Sequence, residues 1–231
     1  MPRFASGRRR FSPHMDSGAP ENLIWHPETI TPAIEDTLRA LHDKAITEGA
    51  YLAGGTGLAL RFGHRRSADL DFFIREAFSE EMLLQRLQQV QGISDVTRAP
   101  QTLHFNVQGV KVTFLGYAYP LLFEPPPFCD VPVADPRDIA CMKVTAAAGR
   151  GTKRDFVDLY AACRQFGLSD LLMLFGRKYE QTGYNRLHIL KSLTYFADAE
   201  KDPMPHMLAP LEWGDVKRFF IDEARRIAAG D

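Results

Sequence analysis

The hydrophobic rhythm of the chain changes part-way along. From residue 50 to about residue 116, apolar and polar positions alternate in short runs, and beyond Pro136 apolar residues return every three or four positions. Alternation suits strands with one buried face, and the longer period suits amphipathic helices. "AYLAGG" reads as a short buried strand, and helical character begins just after its glycines in "TGLALRFG". "ADLDFFI" is a second strand, placing Leu70, Phe72 and Ile74 on one face and Asp69 and Asp71 on the other. "TLHFNVQ" and "VKVTFLGY" alternate on either side of Gly109 and predict a hairpin.

Helical segments frame these strands. Ile34, Leu38, Leu41, Ala45 and Ile46 have helical spacing, with a start at Thr31-Pro32 and a stop at Gly49. Ser79 caps "SEEMLLQRLQQV", which has an acidic first turn. The proline-rich "YPLLFEPPPFCDVPVADP" then marks a boundary between layers. Five helical stretches follow: "PRDIACMKVTAAAG", "TKRDFVDLYAACRQFG", "LSDLLMLFGRKYEQTG", "NRLHILKSLTYFADAEKD" and "GDVKRFFIDEARRIAAG". The expected fold is α+β, a mixed sheet with flanking helices over residues 23–125 and a helical part over 126–231. Residues 1–22 are rich in Arg, Ser, Gly and Pro without periodicity and read as a flexible leader.

Composition narrows the function classes. The 231 residues are 45% hydrophobic with a net charge of -1, so no global charge announces a nucleic-acid or membrane binder. Cys129, Cys141 and Cys163 are scattered and odd in number, which suits a reducing cytoplasm better than a disulfide framework or zinc site. No apolar run approaches the roughly 20 residues that span a bilayer. The expected location is cytoplasmic, with no membrane partner.

Chemistry concentrates in "YLAGGTGLALRFGHRRSADLDFF". Gly54 and Gly55 between a strand and a helix allow close backbone approach to a ligand. A helix starting there aims its N–H groups at an anion, and Thr56 adds a hydroxyl. Asp69 and Asp71 project from one strand face, roughly 7 Å apart at the backbone. Such a pair can hold Mg²⁺, which bridges phosphates and neutralises charge during phosphoryl displacement. Arg65, with Arg61, Arg66 and His64 around it, can meet phosphates of a nucleotide or an RNA. Together these read as a triphosphate cradle (Gly54, Gly55, Thr56, Arg65) beside a metal clamp (Asp69, Asp71).

"GGT", twelve residues and "DLD" resemble the nucleotidyltransferase superfamily pattern of a glycine turn followed by a strand-borne acidic pair. The fuller run, with "VKVTFLGYAYPLL" and "DIACMKVTAAAGRGTKRDFVDLY", resembles the AbiEii/AbiGii family of abortive-infection toxins over residues 50–165. The resemblance implies a minimal nucleotidyltransferase core with a helical C-terminal half, using an NTP and Mg²⁺. It also implies an RNA acceptor such as a tRNA 3′ end, or a protein hydroxyl, and a cognate antitoxin in a type IV toxin–antitoxin arrangement. It places a functional lysine at Lys143 and a functional aspartate within "RDFVDL", where Asp155 and Asp158 share a helix face. Lys143 would pair with a phosphate as a point charge, and Asp158 would either orient that lysine or act as a general base. Without the resemblance these residues read as surface charges paired with Lys153 and Arg154.

One position departs from the pattern. Many nucleotidyltransferases carry a third carboxylate on the hairpin's second strand, where this chain offers Thr113. Either two aspartates suffice, with Asp155 or Asp158 contributing from the helices, or metal affinity is weakened. The competing reading is a catalytically degenerate fold that binds a nucleotide or a partner without turnover.

Overall fold

The computed structural model describes residues 23–149 and 151–230. The leader expected at residues 1–22 lies outside the described residues. The elements run α1 (Pro32–Asp43), β1 (Ala50–Leu52), α2 (Gly54–Phe62), β2 (Asp69–Ile74), α3 (Glu80–Leu87), β3 (Ile93–Ala99), β4 (Thr102–Val107) and β5 (Val110–Gly116). A small hairpin follows, β6 (Pro127–Phe128) with β7 (Val131–Pro132). The helical part comprises α4 (Pro136–Gly149), α5 (Lys153–Phe166), α6 (Leu168–Lys178), α7 (Arg186–Ser192) and α8 (Trp213–Ala228).

Five strands form one mixed sheet in the order β1-β2-β5-β4-β3. β2 and β5 are parallel, while the β1–β2, β4–β5 and β3–β4 pairs are antiparallel. The alternation written in the sequence sets the two faces. Leu70, Phe72, Leu103, Phe105, Val112 and Phe114 point to a closed face and are at most 1% exposed. They pack under Ile34, Leu38 and Leu41 of α1 and Leu83 and Leu87 of α3. Phe72 and Phe105 stack on Phe114 at 4.8 and 6.1 Å between ring centroids. Burying such a side chain stabilises the fold by about 1.5–3 kcal/mol. The opposite face holds Asp69, Asp71, Lys111, Thr113, His104 and Asn106 in register.

α1 begins at Pro32 as expected but ends at Asp43, six residues before Gly49, because Ala45 turns through a positive φ of 55°. α2 starts on the glycines themselves rather than after them. It packs between β2 and helices α4 and α5, which is why Thr56 to Leu60 are all buried. Ser79 caps α3, accepting from the Met82 N–H at 3.3 Å. β3 carries no alternating apolar signal: Ile93 is half-buried, the rest of the strand is exposed, and the register shifts between Ser94 and Thr97. In the segment "NRLHILKSLTYFADAEKD", only Arg186–Ser192 forms an α-helix, capped by Asn185.

The helical part has its own core around Phe156, Phe175, Leu193 and Phe220. A third, smaller cluster of Tyr51, Ala53, Leu58, Ala134 and Ile139 joins it to the sheet. The connector is docked as well. Ala134 N–H donates to the Leu52 carbonyl at 2.9 Å, and Val131 and Val133 join the core under the sheet. Asp138 of α4 and Lys178 of α6 form a buried 2.7 Å ion pair. Lys178 also donates to the Pro120 carbonyl at 2.6 Å, and Asp138 accepts from the N–H groups of Leu122 and Phe123, so every charged atom there has partners.

Candidate active site

The glycine turn and the aspartates meet across the β1–α2 and β2 elements. Ala53 N–H donates to the Asp71 carbonyl at 3.0 Å, which fixes the helix start beside the second strand. Gly54 has φ +63°, and a Cβ built on it would lie 2.5 Å from Asp71 Oδ2. Glycine is therefore needed there for conformation and for space. The N–H groups of Gly54, Gly55 and Thr56 at the start of α2 precede the first intrahelical bond, Gly57 N–H to the Ala53 carbonyl at 3.0 Å, and suit an anion.

Gly55 serves a different neighbour. Its Cβ would fall 2.2 Å from Nη2 of Arg65 and 3.5 Å from Asp158 Oδ2. Thr56 is 1% exposed, and its hydroxyl donates to the Asp69 carbonyl oxygen and bonds the Ser67 hydroxyl at 2.8 Å. So of the three turn residues, Gly54 faces the aspartates, while Gly55 and Thr56 support the turn from behind.

Behind the turn lies a buried charge network. Asp158 is fully enclosed and accepts from Arg65 Nε at 2.6 Å, Arg65 Nη2 at 2.9 Å, His64 Nε2 at 2.9 Å and Lys143 Nζ at 2.7 Å. Burial alone would raise its pKa, yet Lys143, Arg65 and His64 hold it well below the usual carboxylate range. Lys143 also donates to Asp155 Oδ1 at 3.0 Å, and Asp155 accepts from the Thr152 hydroxyl at 2.6 Å at the start of α5. Burial would lower the Lys143 pKa, but Asp158 and Asp155 outweigh it and the ammonium is held charged.

This network bears on four readings of the sequence. Lys143, Asp155 and Asp158 are buried rather than surface charges, at 7%, 1% and 0% exposure. Both Asp158 oxygens accept from Lys143, Arg65 and His64, which favours the first of its two expected roles, orienting Lys143. Among the described residues, neither Asp155 nor Asp158 joins Asp69 and Asp71 in a group of three or more side chains suited to a metal. Arg65, expected on the phosphates, is 4% exposed and committed to Asp158 and the Arg66 carbonyl. It holds the loop after α2 against α5.

Lys143 nonetheless reaches the turn. A cleft of about 420 Å³ between sheet and α4 is lined by Gly54, Asp71, Phe73, Tyr117, Met142 and Lys143, among others. Asp69, two residues earlier on the same strand face, is half exposed and lies 3.8 Å from the guanidinium of Arg154. Arg154 had read as a surface partner of Asp155 and Asp158, and sequence spacing offered no hint that it crosses to Asp69. Tyr117 was also missed. Its ring is fixed by a hydroxyl–hydroxyl bond to Tyr179 and an edge contact with Phe73 at 5.3 Å.

Asp69 and Asp71 fit a Mg²⁺ ion by chemistry. They are hard oxygen donors on one accessible face, and this ion takes one or two carboxylates together with waters and substrate phosphates. Thr113 stands directly across from Asp71 in the parallel pair and bonds His104 Nδ1 at 2.9 Å. Among the described residues no group of three or more His, Cys, Asp or Glu side chains converges as a metal site.

A family model described as "Nucleotidyl transferase AbiEii toxin, Type IV TA system" matches residues 36–118 and 116–227. The chain belongs to the AbiEii nucleotidyltransferase family. By that membership it is a nucleotidyltransferase. The AbiEii chain is 36% identical over 191 residues to the protein aq_aa25 of Aquifex aeolicus (strain VF5), covering 80% of this chain and 91% of that one. Its fold is similar to MenT4, a nucleotidyltransferase toxin of Mycobacterium tuberculosis H37Rv, with TM-score 0.50, 14% identity and coverage of 84% and 85%. It is also similar to JHP933 of Helicobacter pylori, with TM-score 0.48, 18% identity and coverage of 84% and 89%. Among the described residues no helix is long and apolar enough to cross a membrane.

Proposed function

We propose that this AbiEii protein is the toxin of a type IV toxin–antitoxin pair. In this reading it transfers a nucleoside monophosphate from an NTP to a hydroxyl of an RNA such as a tRNA, in the cytoplasm, opposed by a cognate antitoxin. The observation that carries the reading is the convergence of Gly54, Asp71 and Lys143 on one cleft. Lys143 is the one cation among the described residues lining that cleft, and it belongs at the polar end with the phosphates. Phe73, Tyr117 and Met142 offer the base an apolar, partly aromatic surface.

In the reaction, the acceptor oxygen forms a bond to the α-phosphorus and the α–β phosphoanhydride bond breaks. Pyrophosphate leaves with the electron pair, and the hydroxyl proton passes to water. Positioning and charge stabilisation carry most of such a transfer. Mg²⁺ on Asp69 and Asp71 would supply charge neutralisation at the phosphates. The first turn of α2 and the Lys143 ammonium would bind the phosphate oxygens from the protein side, with Asp158 and Asp155 holding Lys143 in place and Arg65 fixing Asp158.

Incubation with α-labelled NTPs, Mg²⁺ and total cellular RNA should label RNA. Asp71→Asn should abolish labelling while leaving the thermal transition within a few degrees, and Lys143→Ala should cut it by about 10²-fold or more. Undiminished labelling by a folded Asp71→Asn protein would refute the assignment.

A further inference from the structure

The open face of the sheet carries a second recess on the far side of the aspartates. A groove of about 310 Å³ is lined by Asp95, Thr97, His104, Phe105, Asn106 and Lys111. It borders the site through the strand register. Lys111 stands across from Asp69 and Thr113 across from Asp71, while Asn106 and His104 stand across from Lys111 and Thr113 on β4. With strands about 4.8 Å apart, β4 lies on the order of 10 Å from the aspartates. His104 bonds at 2.9 Å to Thr113, the residue that stands across from Asp71.

The two recesses lie at opposite ends of the carboxylate pair. The cleft runs toward Phe73, Leu115 and Tyr117, at the C-terminal ends of β2 and β5, whereas the groove runs toward Lys111 at the N-terminal end of β5 and outward across β4. An in-line displacement needs the attacking oxygen and the leaving pyrophosphate on opposite sides of the phosphorus. With pyrophosphate leaving into the cleft, attack would come from the groove side.

The groove's chemistry suits a ribose and a phosphate. Lys111 is exposed and makes no ion pair among the described residues, so it is available to a phosphate oxygen. Asp95, held by Asn106 at 2.6 Å and Ser94 at 2.9 Å, offers a carboxylate that can accept from sugar hydroxyls. Phe105 is 1% exposed with its ring in the core, so the groove gives hydrogen bonds and one cation rather than an apolar pocket for a protein side chain.

We infer that this groove seats the 3′-terminal ribose and adjoining phosphate of the RNA acceptor. Lys111 binds the phosphate, and His104 positions the attacking hydroxyl beside Asp71. This inference rests on the RNA-transfer reading above.

The test compares wild type with Lys111→Ala, Lys111→Arg and His104→Ala, using total tRNA as acceptor. Binding of a 5′-fluorescein-labelled single-stranded RNA with a 3′-hydroxyl is read by anisotropy, and NTP binding is read separately by calorimetry. Lys111→Ala should raise the acceptor KM about tenfold and flatten the salt dependence of RNA binding by roughly one phosphate contact. Its NTP affinity should not change, and Lys111→Arg should restore most of the loss. His104→Ala should raise the acceptor KM and lower kcat, again with NTP affinity intact. Normal labelling with unchanged acceptor KM and RNA binding in the alanine variants would overturn the groove alone. Transfer of label to protein and not to RNA, or no label on any acceptor, would overturn the RNA reading and this inference with it.

Discussion

Asp158 holds two cations and a histidine with one carboxylate that water does not reach. Removing its charge strands Arg65 in the interior and leaves Lys143 with Asp155 only. Breaking a buried pair in this way costs about 3–5 kcal/mol, so Asp158→Asn should lose stability on that scale in urea denaturation at neutral pH. A loss below about 1 kcal/mol would mean that the network does not hold the halves together. The pH dependence has a definite sign. The folded pKa lies well below the unfolded value of about 3.9, so the contribution is complete above about pH 5 and is lost as pH falls through the folded value. The stability gap between wild type and Asp158→Asn should accordingly narrow below about pH 4. At this scale the sequence was half legible. The residue types were right, but Arg65 and Asp158 are 93 positions apart, and no local spacing reports that each is the other's partner.

The first turn of α2 assigns its two adjacent glycines to different tasks, and substitution should separate them. Gly54→Ala places a side chain at φ +63° and 2.5 Å from Asp71 Oδ2. The left-handed conformation costs roughly 1–2 kcal/mol, and the displaced carboxylate should reduce nucleotidyl transfer at least tenfold. Gly55→Ala carries no such backbone strain, but its methyl meets the Arg65 guanidinium at 2.2 Å. That variant should lose more in thermal stability than in NTP affinity per folded molecule. Calorimetric NTP titration beside thermal melts distinguishes the two, and normal binding by Gly54→Ala would refute the cradle. Elements with a strong period were readable in advance. β2, β4 and β5 alternate cleanly because one face is packed and the other carries the site. β3 was not readable, since an exposed edge strand with Asp95 at φ +52° has no buried face to impose a pattern. α7 is shorter than its segment promised, because beyond Ser192 single anchors such as Leu193 and Ala199, both 0% exposed, hold irregular chain in place of a helical stripe.

Across the whole molecule, the cleft exists only because the helical part folds back on the sheet. Arg66 N–H donates to the His206 carbonyl at 2.8 Å and Leu208 N–H to the His64 carbonyl at 3.0 Å, so the chain near α8 closes over the loop that carries Arg65. Gly57 of α2 has its Cβ position 2.7 Å from Ile139 Cδ1, which shows how closely α2 and α4 approach. The sequence divides naturally at the proline-rich connector, yet Val131 and Val133 belong to the core under the sheet and Leu58 belongs to the joint with α4. A fragment of residues 23–125 would therefore expose Tyr51, Ala53 and Leu58 and leave Arg65 and His64 without Asp158. It would also lack Lys143, the cation of the cleft. Such a fragment should show no cooperative thermal transition, should bind a hydrophobic dye, and should not bind NTP by calorimetry, with or without Mg²⁺. A fragment that melts cooperatively and binds Mg²⁺–NTP would show that the sheet and its aspartates form a complete nucleotide site on their own.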